Sequence, residues 1–232
     1  MFLIFSPRRT SLLAAALLTL AACTPLPTTA PATAPVPMAP AVPAAPPTAA
    51  VTDHATVLRL DSAQSLIAVT VRRGGVLARL GHDHVVAARA ITGTVTPADN
   101  RAAFQFRLDQ MTVDEPALRD IAGLTKQPSQ DAIDGTRTNM LTKVLDAGRY
   151  PLVQVRVTRA GDGELLRAAI TLHGVTRDYD IPVVIATADG AMTVTGTVNL
   201  KQTDFGLVPF SVMGGAMAVQ DQLELRFALV AR

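Results

Sequence analysis

Residues 193–200, TVTGTVNL, alternate small or apolar side chains with polar ones at every second position. In a β-strand, successive side chains point to opposite faces of the sheet, so this period of two predicts a strand with one face buried. The same alternation occurs in five other stretches: 67–72 IAVTVR, 104–109 FQFRLD, 153–158 VQVRVT, 167–172 RAAITL and 223–229 LELRFAL. The chain is therefore predicted to be an all-β protein built from antiparallel hairpins.

Short turns rich in Gly, Asp, Asn or Pro separate several of these strands, at 61–63, 97–100, 161–163 and 189–190. About eight antiparallel strands predict a closed or nearly closed barrel, because closure removes exposed strand edges. A barrel of that size can enclose one small ligand.

One long break in the alternation, about 114–147, predicts a helical insertion. Pro116 suits the first turn of a helix, with Leu118, Ile121 and Ala122 on one face and Gly123 as its stop. A second helix is predicted from Ser129, as its cap, to about Asp146. Its apolar stripe contains Ile133, Met140, Leu141, Val144 and Leu145.

The N-terminal region predicts export and lipid anchoring. Arg8 and Arg9 precede a short apolar run, and residues 20–23, LAAC, end it with the only cysteine of the chain. Residues 1–22 are therefore predicted to be a signal peptide. Its apolar run is too short to span a bilayer as a helix of the mature protein. The LAAC ending resembles a lipobox, which implies that Cys23 is acylated; the alternative is ordinary cleavage after Ala22. By the same resemblance, Thr24 after Cys23 suggests the outer membrane, on its periplasmic side.

Residues 23–52 carry no charge and many prolines, so they predict an extended linker before a single domain at 53–232. Arg8 and Arg9 account for the whole excess of 21 basic over 19 acidic residues. The remaining chain is near neutral, which gives no electrostatic reason to expect nucleic acid or an anionic membrane as a partner. No cofactor is predicted, and a homodimer is left open.

Four sequence features together resemble the YceI-like family. They are residues 170–177, ITLHGVTR; residues 149–151, RYP, before a strand; residues 203–206, TDFG, after a strand; and Asp221 at the start of the last strand. Members of this family are extracytoplasmic, lipocalin-like barrels that bind polyisoprenoid lipids. The likeness covers about 55–231 and is strongest from 149 onward. It implies that an isoprenoid-like lipid lies along the barrel axis. In place of the family's usual short histidine-containing stretch, this chain has residues 74–84, GGVLARLGHDH.

His82 and His84 are the sharpest candidates for polar chemistry. At positions i and i+2 of a strand, both imidazoles would share one face and could bind Zn²⁺ with a third ligand. That ligand would be His173, His54 or a carboxylate. The alternative is a structural turn in which both histidines contact the backbone or a ligand head group.

The other candidates belong to the same predicted binding site. His173 is either a polar contact at the barrel mouth or a turn-stabilising residue. Arg137, with Arg119, Asp120 and Asp134, either meets a polar head group or forms the solvated face of short helices. Asp204 is expected to cap a turn, and Met213 belongs to a flap or a plain loop at 213–217. The full predicted ligand-binding set is His82, His84, Phe104, Phe106, Arg137, Met140, Val155, His173, Phe205 and Met213.

No Ser-His-Asp order, nucleophile elbow or acid–base pair is present, so an enzyme is not expected. The favoured interpretation is a lipid-anchored binding protein for an amphipathic, polyisoprenoid-like lipid. The alternatives are a metal-binding domain using His82 and His84, and a ligand-free structural protein of the cell envelope.

Overall fold

A computed structural model describes residues 56–159, 163 and 165–232 of the chain. Residues 51–232 form one compact unit. The predictions for the signal peptide, Cys23, the linker and His54 lie outside the described residues, as does most of the predicted turn at 161–163.

The sheet contains twelve strands, and every pairing within it is antiparallel. Their order is β1-β4-β5-β7-β8-β9-β10-β12-β2-β3-β6, with β11 paired to β12 beside this path. The expected number of about eight is too low, chiefly because three strands have only two residues and show no period. The strands are β1 Leu58–Arg59, β2 Leu66–Gly74, β3 His84–Ala88, β4 Thr92–Thr96, β5 Arg101–Arg107, β6 Thr112–Val113, β7 Leu152–Arg159, β8 Leu165–Leu172, β9 Val175–Ala188, β10 Ala191–Lys201, β11 Ser211–Val212 and β12 Met217–Ala231.

The sheet curls because β1 contacts strands from both flanks. Leu58 and Arg59 pair with β4, while Leu60 forms an isolated bridge to Ala231 at the end of β12. The backbone groups of Arg59 and Arg232 exchange hydrogen bonds of 2.8 and 2.9 Å. The result is a curled, partly closed barrel, as the alternation predicted.

The alternating apolar side chains face the concave side of this sheet. Ile67, Phe106, Val155, Ile170 and Leu229, from five different strands, belong to one buried cluster. Burying this face supplies the main driving force for folding, since each fully buried large aliphatic side chain contributes roughly 1.5–3 kcal/mol.

The helical insertion forms where it was predicted, as α1 Pro116–Ile121 and α2 Gln130–Asn139. Ser129 Oγ accepts a 3.3 Å hydrogen bond from the Ala132 N–H, which confirms Ser129 as the cap of α2. A π-helical turn, Met140–Val144, continues α2 and packs Met140 against the sheet interior. Within the described residues, no helix is both long enough and apolar enough to cross a membrane.

One detail of the insertion was predicted wrongly. Ile121 was placed on the buried face of the first helix with Leu118, but its side chain is 67% exposed. Leu118 turns inward and packs with Val85, Ala87 and Leu124, and the partly buried Ala122 packs against the same cluster. The helix has only six residues, too few to bury a full apolar stripe.

The 203–206 signature and Asp221 form one hydrogen-bonded corner. Thr203 donates to Asp221 through its N–H at 2.9 Å and its hydroxyl at 2.7 Å. Gly206 ends the turn with a φ of 71°, a conformation that glycine adopts without a steric penalty. This corner joins the end of β10 to the bulge at the start of β12, where the pairing with β2 shifts register between Val219 and Leu223.

Asp204 accepts a 3.2 Å hydrogen bond from the Tyr179 hydroxyl of β9, so it links the corner to a strand and is not the expected turn cap. Burial, followed by this carboxylate, raises the pKa of Tyr179 to about 12. The phenol therefore stays a donor at neutral pH and ties the corner to β9.

Two glycines offer a matched test of strand packing. A Cβ on Gly93 of β4 would lie 2.3 Å from the Ala103 carbonyl oxygen, whereas one on Gly135 of α2 would meet nothing within 4 Å. We expect Gly93→Ala to lower the free energy of unfolding by about 1–3 kcal/mol, because the backbone must move. Gly135→Ala should raise it by up to about 1 kcal/mol, because alanine favours helix. Urea unfolding followed by circular dichroism measures both, and equal effects would contradict the described β4–β5 packing.

Candidate functional site

The barrel encloses a cavity of about 500 Å³. Its wall is mostly apolar and comes chiefly from β2, β5, β7, β8, β9, β10 and β12. Met140 and Val144 of the π-helical turn also line the cavity. Of the predicted ligand-binding residues, the lining contains His82, His84, Phe104, Phe106, Met140 and Val155.

Polar side chains lie at the two ends of this cavity. Asn100, Arg101 and Arg159 line the end beneath the β4–β5 turn, while the end at the start of β3 contains the histidines. The polar lining residues of that histidine end are Arg73, His82, His84, Thr136, Asn139 and Gln202. Between the two ends the wall is almost wholly hydrocarbon.

His84 is held in one orientation by a buried carboxylate. Its Nδ1 lies 2.6 Å from Asp114 Oδ2, and its Nε2 lies 3.3 Å from the Thr136 hydroxyl. An ionised carboxylate can only accept, so Nδ1 carries a proton and donates it. Nε2 is within hydrogen-bonding distance of the Thr136 hydroxyl, and His84 and Thr136 both line the cavity, so a ligand at this end would meet the pair.

Asp114 is the centre of this end of the site. Its side chain is fully buried, and it also accepts from the Val85 N–H at 3.0 Å and from Arg119 Nη1 at 2.6 Å. Burial on its own raises the pKa of Asp114, but the hydrogen bonds from His84, Val85 and Arg119 outweigh it and hold the pKa below its usual value. Asp114 is therefore ionised at neutral pH.

Arg119 balances that buried charge. Only 1% of the residue is exposed, and its guanidinium also donates to the carbonyl oxygens of Asp83 and Lys126. The interpretation of Arg119 as part of a solvated helix face is therefore wrong, because its side chain is buried and donates to Asp114. Asp120 and Asp134 do lie on exposed surfaces, as that interpretation expected.

His82 and His84 approach each other but do not share a strand. His82 precedes β3, and the two ring centroids are 6.1 Å apart. Partial burial, followed by the nearby charges of Lys126, His84, Arg119 and Arg73, lowers the pKa of His82, so it is neutral at pH 7. The prediction that both lie at i and i+2 of one strand is wrong, because the chain turns through a loop at Gly81.

Of the third metal ligands that the sequence offered, His54 lies outside the described residues. Among the described residues, no group of three His, Cys, Asp or Glu side chains is arranged to hold a metal ion. The metal-binding alternative therefore stays a prediction.

Four predicted site residues lie outside the cavity lining. His173 adopts a φ of 51° in the β8–β9 turn and packs against Tyr150 at 4.4 Å between ring centroids. Phe205 is buried in the corner below β10, while Met213 is exposed at the barrel end. Arg137 donates to the backbone oxygens of Met111 and Asp109 and so fastens α2 to the loop beside β6.

Sequence reasoning missed Asp114, Thr136 and Asn139 as site residues. Thr136 and Asn139 are spaced three apart on one face of α2, a spacing visible in the sequence. Asp114 has a φ of 58°, a left-handed conformation in which Asp is enriched. Its contact with His84 spans thirty positions and has no local signature.

Asp114→Asn tests the buried cluster. The variant leaves Arg119 without its anionic partner, so we expect the free energy of unfolding to fall by about 3–5 kcal/mol at pH 7. The folded-state pKa of Asp114 is depressed, so its stabilisation is complete above the ordinary carboxyl value of 3.8 and is lost as the pH falls through the folded value. Asp114→Asn should not show this loss of stability at acidic pH, because an amide does not titrate there. Asp120→Asn, an exposed change on the neighbouring helix α1, is the control; equal destabilisation by both would refute the assignment.

Two solved structures share the fold at low sequence identity. One is a polyisoprenoid-binding domain from Saccharophagus degradans implicated in plant cell wall breakdown, with a TM-score of 0.55, 14% identity, and coverage of 75% of this chain and 97% of that one. The other is BcnA from Burkholderia cenocepacia, with a TM-score of 0.52, 15% identity, and coverage of 75% and 99%. A search of curated protein sequences finds no match.

The sequence model of the YceI-like domain matches residues 58–231, which span all twelve strands and the helical insertion. The match covers most of the chain and agrees with the barrel and its enclosed cavity. The chain therefore belongs to the YceI-like domain family.

Proposed function

We propose that the protein binds an amphipathic lipid with a polyisoprenoid-like tail and holds that tail inside the barrel. The observation that carries this proposal is the cavity of about 500 Å³ with an apolar wall and polar groups at its ends. Ligand cavities in proteins span roughly 300–1,000 Å³, so the space suits a ligand rather than scattered water. An apolar chain gains free energy by leaving water for such a wall.

The polar head would lie at the histidine end. His84 offers Nε2 in an orientation fixed by Asp114, and Thr136 and Asn139 stand beside it on α2. These are hydrogen-bonding groups, with Arg73 as the cation of the same end. They suit a head group that carries oxygen acceptors, and they would fix the direction in which the lipid enters.

The family supports a binding role. The solved domain from Saccharophagus degradans is described as polyisoprenoid-binding, and it has the same fold. Ligand binding alone accounts for the cavity, without a catalysed reaction. We therefore propose a carrier or binding protein rather than an enzyme.

We also propose that the protein works at the periplasmic side of the cell envelope, anchored to the outer membrane through Cys23. The support is the sequence alone: a positively charged start, an apolar run and the LAAC ending at residues 20–23. An acyl chain on Cys23 would keep a lipid carrier close to the membrane that holds its ligand.

Ala168→Phe tests the cavity. Ala168 is buried and lines the cavity, whereas the neighbouring Ala169 points to the other face of β8. All strand pairings of the described chain lie within residues 51–232, so we expect this fragment to fold alone. Native mass spectrometry of the fragment should show an added mass of several hundred daltons, roughly that of a lipid occupying such a cavity. Organic extraction should remove it.

Ala168→Phe should lose most of this added mass, because the ring occupies the ligand's space, while Ala169→Phe should retain it. A wild-type fragment that carries no extractable molecule and takes up none from detergent-solubilised polyprenol would contradict the proposal. So would equal binding by the two variants.

Cys23→Ala tests the anchor. We expect the full-length variant to lose labelling by radioactive palmitate and to leave the membrane fraction, because the acylated sulfur is gone. Ala22→Gly keeps a small residue at the cleavage site and should behave like wild type. Normal processing and continued membrane association of Cys23→Ala would refute the anchor.

A further inference from the structure

The barrel exposes large apolar side chains at its histidine end. Among the described residues, five of the nine exposed large apolar side chains lie in just two loops, at 75–81 and 208–216. Val76 is 88% exposed and Val208 is 78% exposed, although exposing apolar surface to water is unfavourable in free energy. We call this set the apolar rim: Val76, Leu80, Val208, Val212 and Met213.

The two loops form one surface. The Leu77 N–H donates to the Ala216 carbonyl oxygen at 2.8 Å, and a Cβ on Gly75 would lie 2.5 Å from the same oxygen. β11 in the second loop pairs with β12, whose residue Ala218 pairs with Gly74 at the end of β2. The rim residues are thus carried on two adjoining loops and are not scattered over the barrel.

The rim is continuous with the cavity. Ala78 and Gly81 of the first loop line the cavity, as do Phe210 and Val212 of the second. Val212 therefore belongs to both the exposed surface and the cavity wall. A hydrocarbon chain could pass from a surface covering the rim into the barrel along apolar contacts.

Cations lie next to the rim, although the chain after residue 22 is near neutral overall and the carboxylates of Asp204 and Asp221 lie in the corner beside the second loop. Residues 206–219 contain no charged side chain, and residues 74–81 contain only Arg79, which is exposed. Lys126 Nζ donates to the Gly81 carbonyl oxygen at 3.3 Å, and Lys143 Nζ lies 5.6 Å from the Phe210 ring centroid. The nearby carboxylate of Asp83 is already held by Arg72 and Arg73.

We propose that the apolar rim docks this end of the barrel onto an anionic lipid membrane, which gives the cavity direct access to the hydrocarbon layer. Apolar side chains flanked by exposed cations match an interfacial membrane site, because the side chains enter the acyl region while the cations meet lipid phosphates. This inference rests on the proposed function, because docking would serve to load a lipid into the cavity. Docking itself can be measured without a bound lipid, the cargo of the barrel.

Vesicle flotation tests the proposal with residues 51–232, which lack Cys23 and any leader segment. The fragment should float with vesicles of phosphatidylcholine and phosphatidylglycerol, less with phosphatidylcholine alone, and less again at high salt. The double variant Val76→Asp with Met213→Asp should bind the mixed vesicles about tenfold more weakly, because two carboxylates would have to enter the interface.

The matched control is Leu165→Asp with Val184→Asp. Both residues are exposed apolar side chains of the sheet outside the rim, so the charge change is identical. This control should float like wild type. Arg79→Glu should remove part of the preference for phosphatidylglycerol while leaving binding to phosphatidylcholine unchanged.

Failure of the wild-type fragment to float with either vesicle, or equal binding by the rim variant and the control, would overturn the docking proposal. Cargo is read separately by native mass spectrometry after loading from detergent. A rim variant that loses flotation but still loads cargo supports docking as a distinct step. A wild type that floats but never loads cargo would refute the proposed function and leave docking intact.

Discussion

The inward face of the sheet has no second layer to pack against, and this constraint shapes the whole molecule. In a sandwich, two sheets fill the space between them; here one curled sheet must cover its own concave face. Ile67, Phe106 and Val155 point into the same interior from different strands. The chain has no Trp, and only 4% of its residues are aromatic, so few side chains are large enough to fill the centre. An unfilled apolar interior is the physical result, and a bound chain is the simplest way to complete its packing.

The helical insertion turns that interior into a site with two different ends. Asp114 draws three donors from two elements: the His84 side chain and the Val85 backbone of β3, and Arg119 of α1. Removing two charges from water is costly, and a pair of this kind adds little net stability compared with apolar packing. Its effect is positional, because the same carboxylate that balances Arg119 also fixes the His84 ring. The interaction that fastens the insertion to the sheet therefore also prepares the polar end of the cavity.

The sequence predicted the sheet better than it predicted the site. The alternation in stretches such as 153–158 and 223–229 assigned the inward face correctly, because a period of two is a local signal that burial enforces. The 203–206 signature and Asp221 proved to be two halves of one corner. The link between Asp114 and His84 could not be found in this way, since it depends on a fold that brings distant residues together. Arg119 was misplaced for the same reason: an arginine on a short helix is normally solvated, and only its buried partner overrides that preference.

The positions of the polar cluster and the apolar rim give the proposed binding event a direction. His84 and Thr136 line the same end of the cavity as Gly81 and Phe210, which connect to the rim. A lipid in a membrane keeps its head at the interface and its tail in the hydrocarbon layer. If the rim sits on that interface, the head meets the histidines with little displacement, and the tail alone must swing from the bilayer into the barrel. Neither the head nor the tail of the lipid then crosses open water. The head stays among hydrogen-bonding groups, and the tail passes from one apolar environment to another.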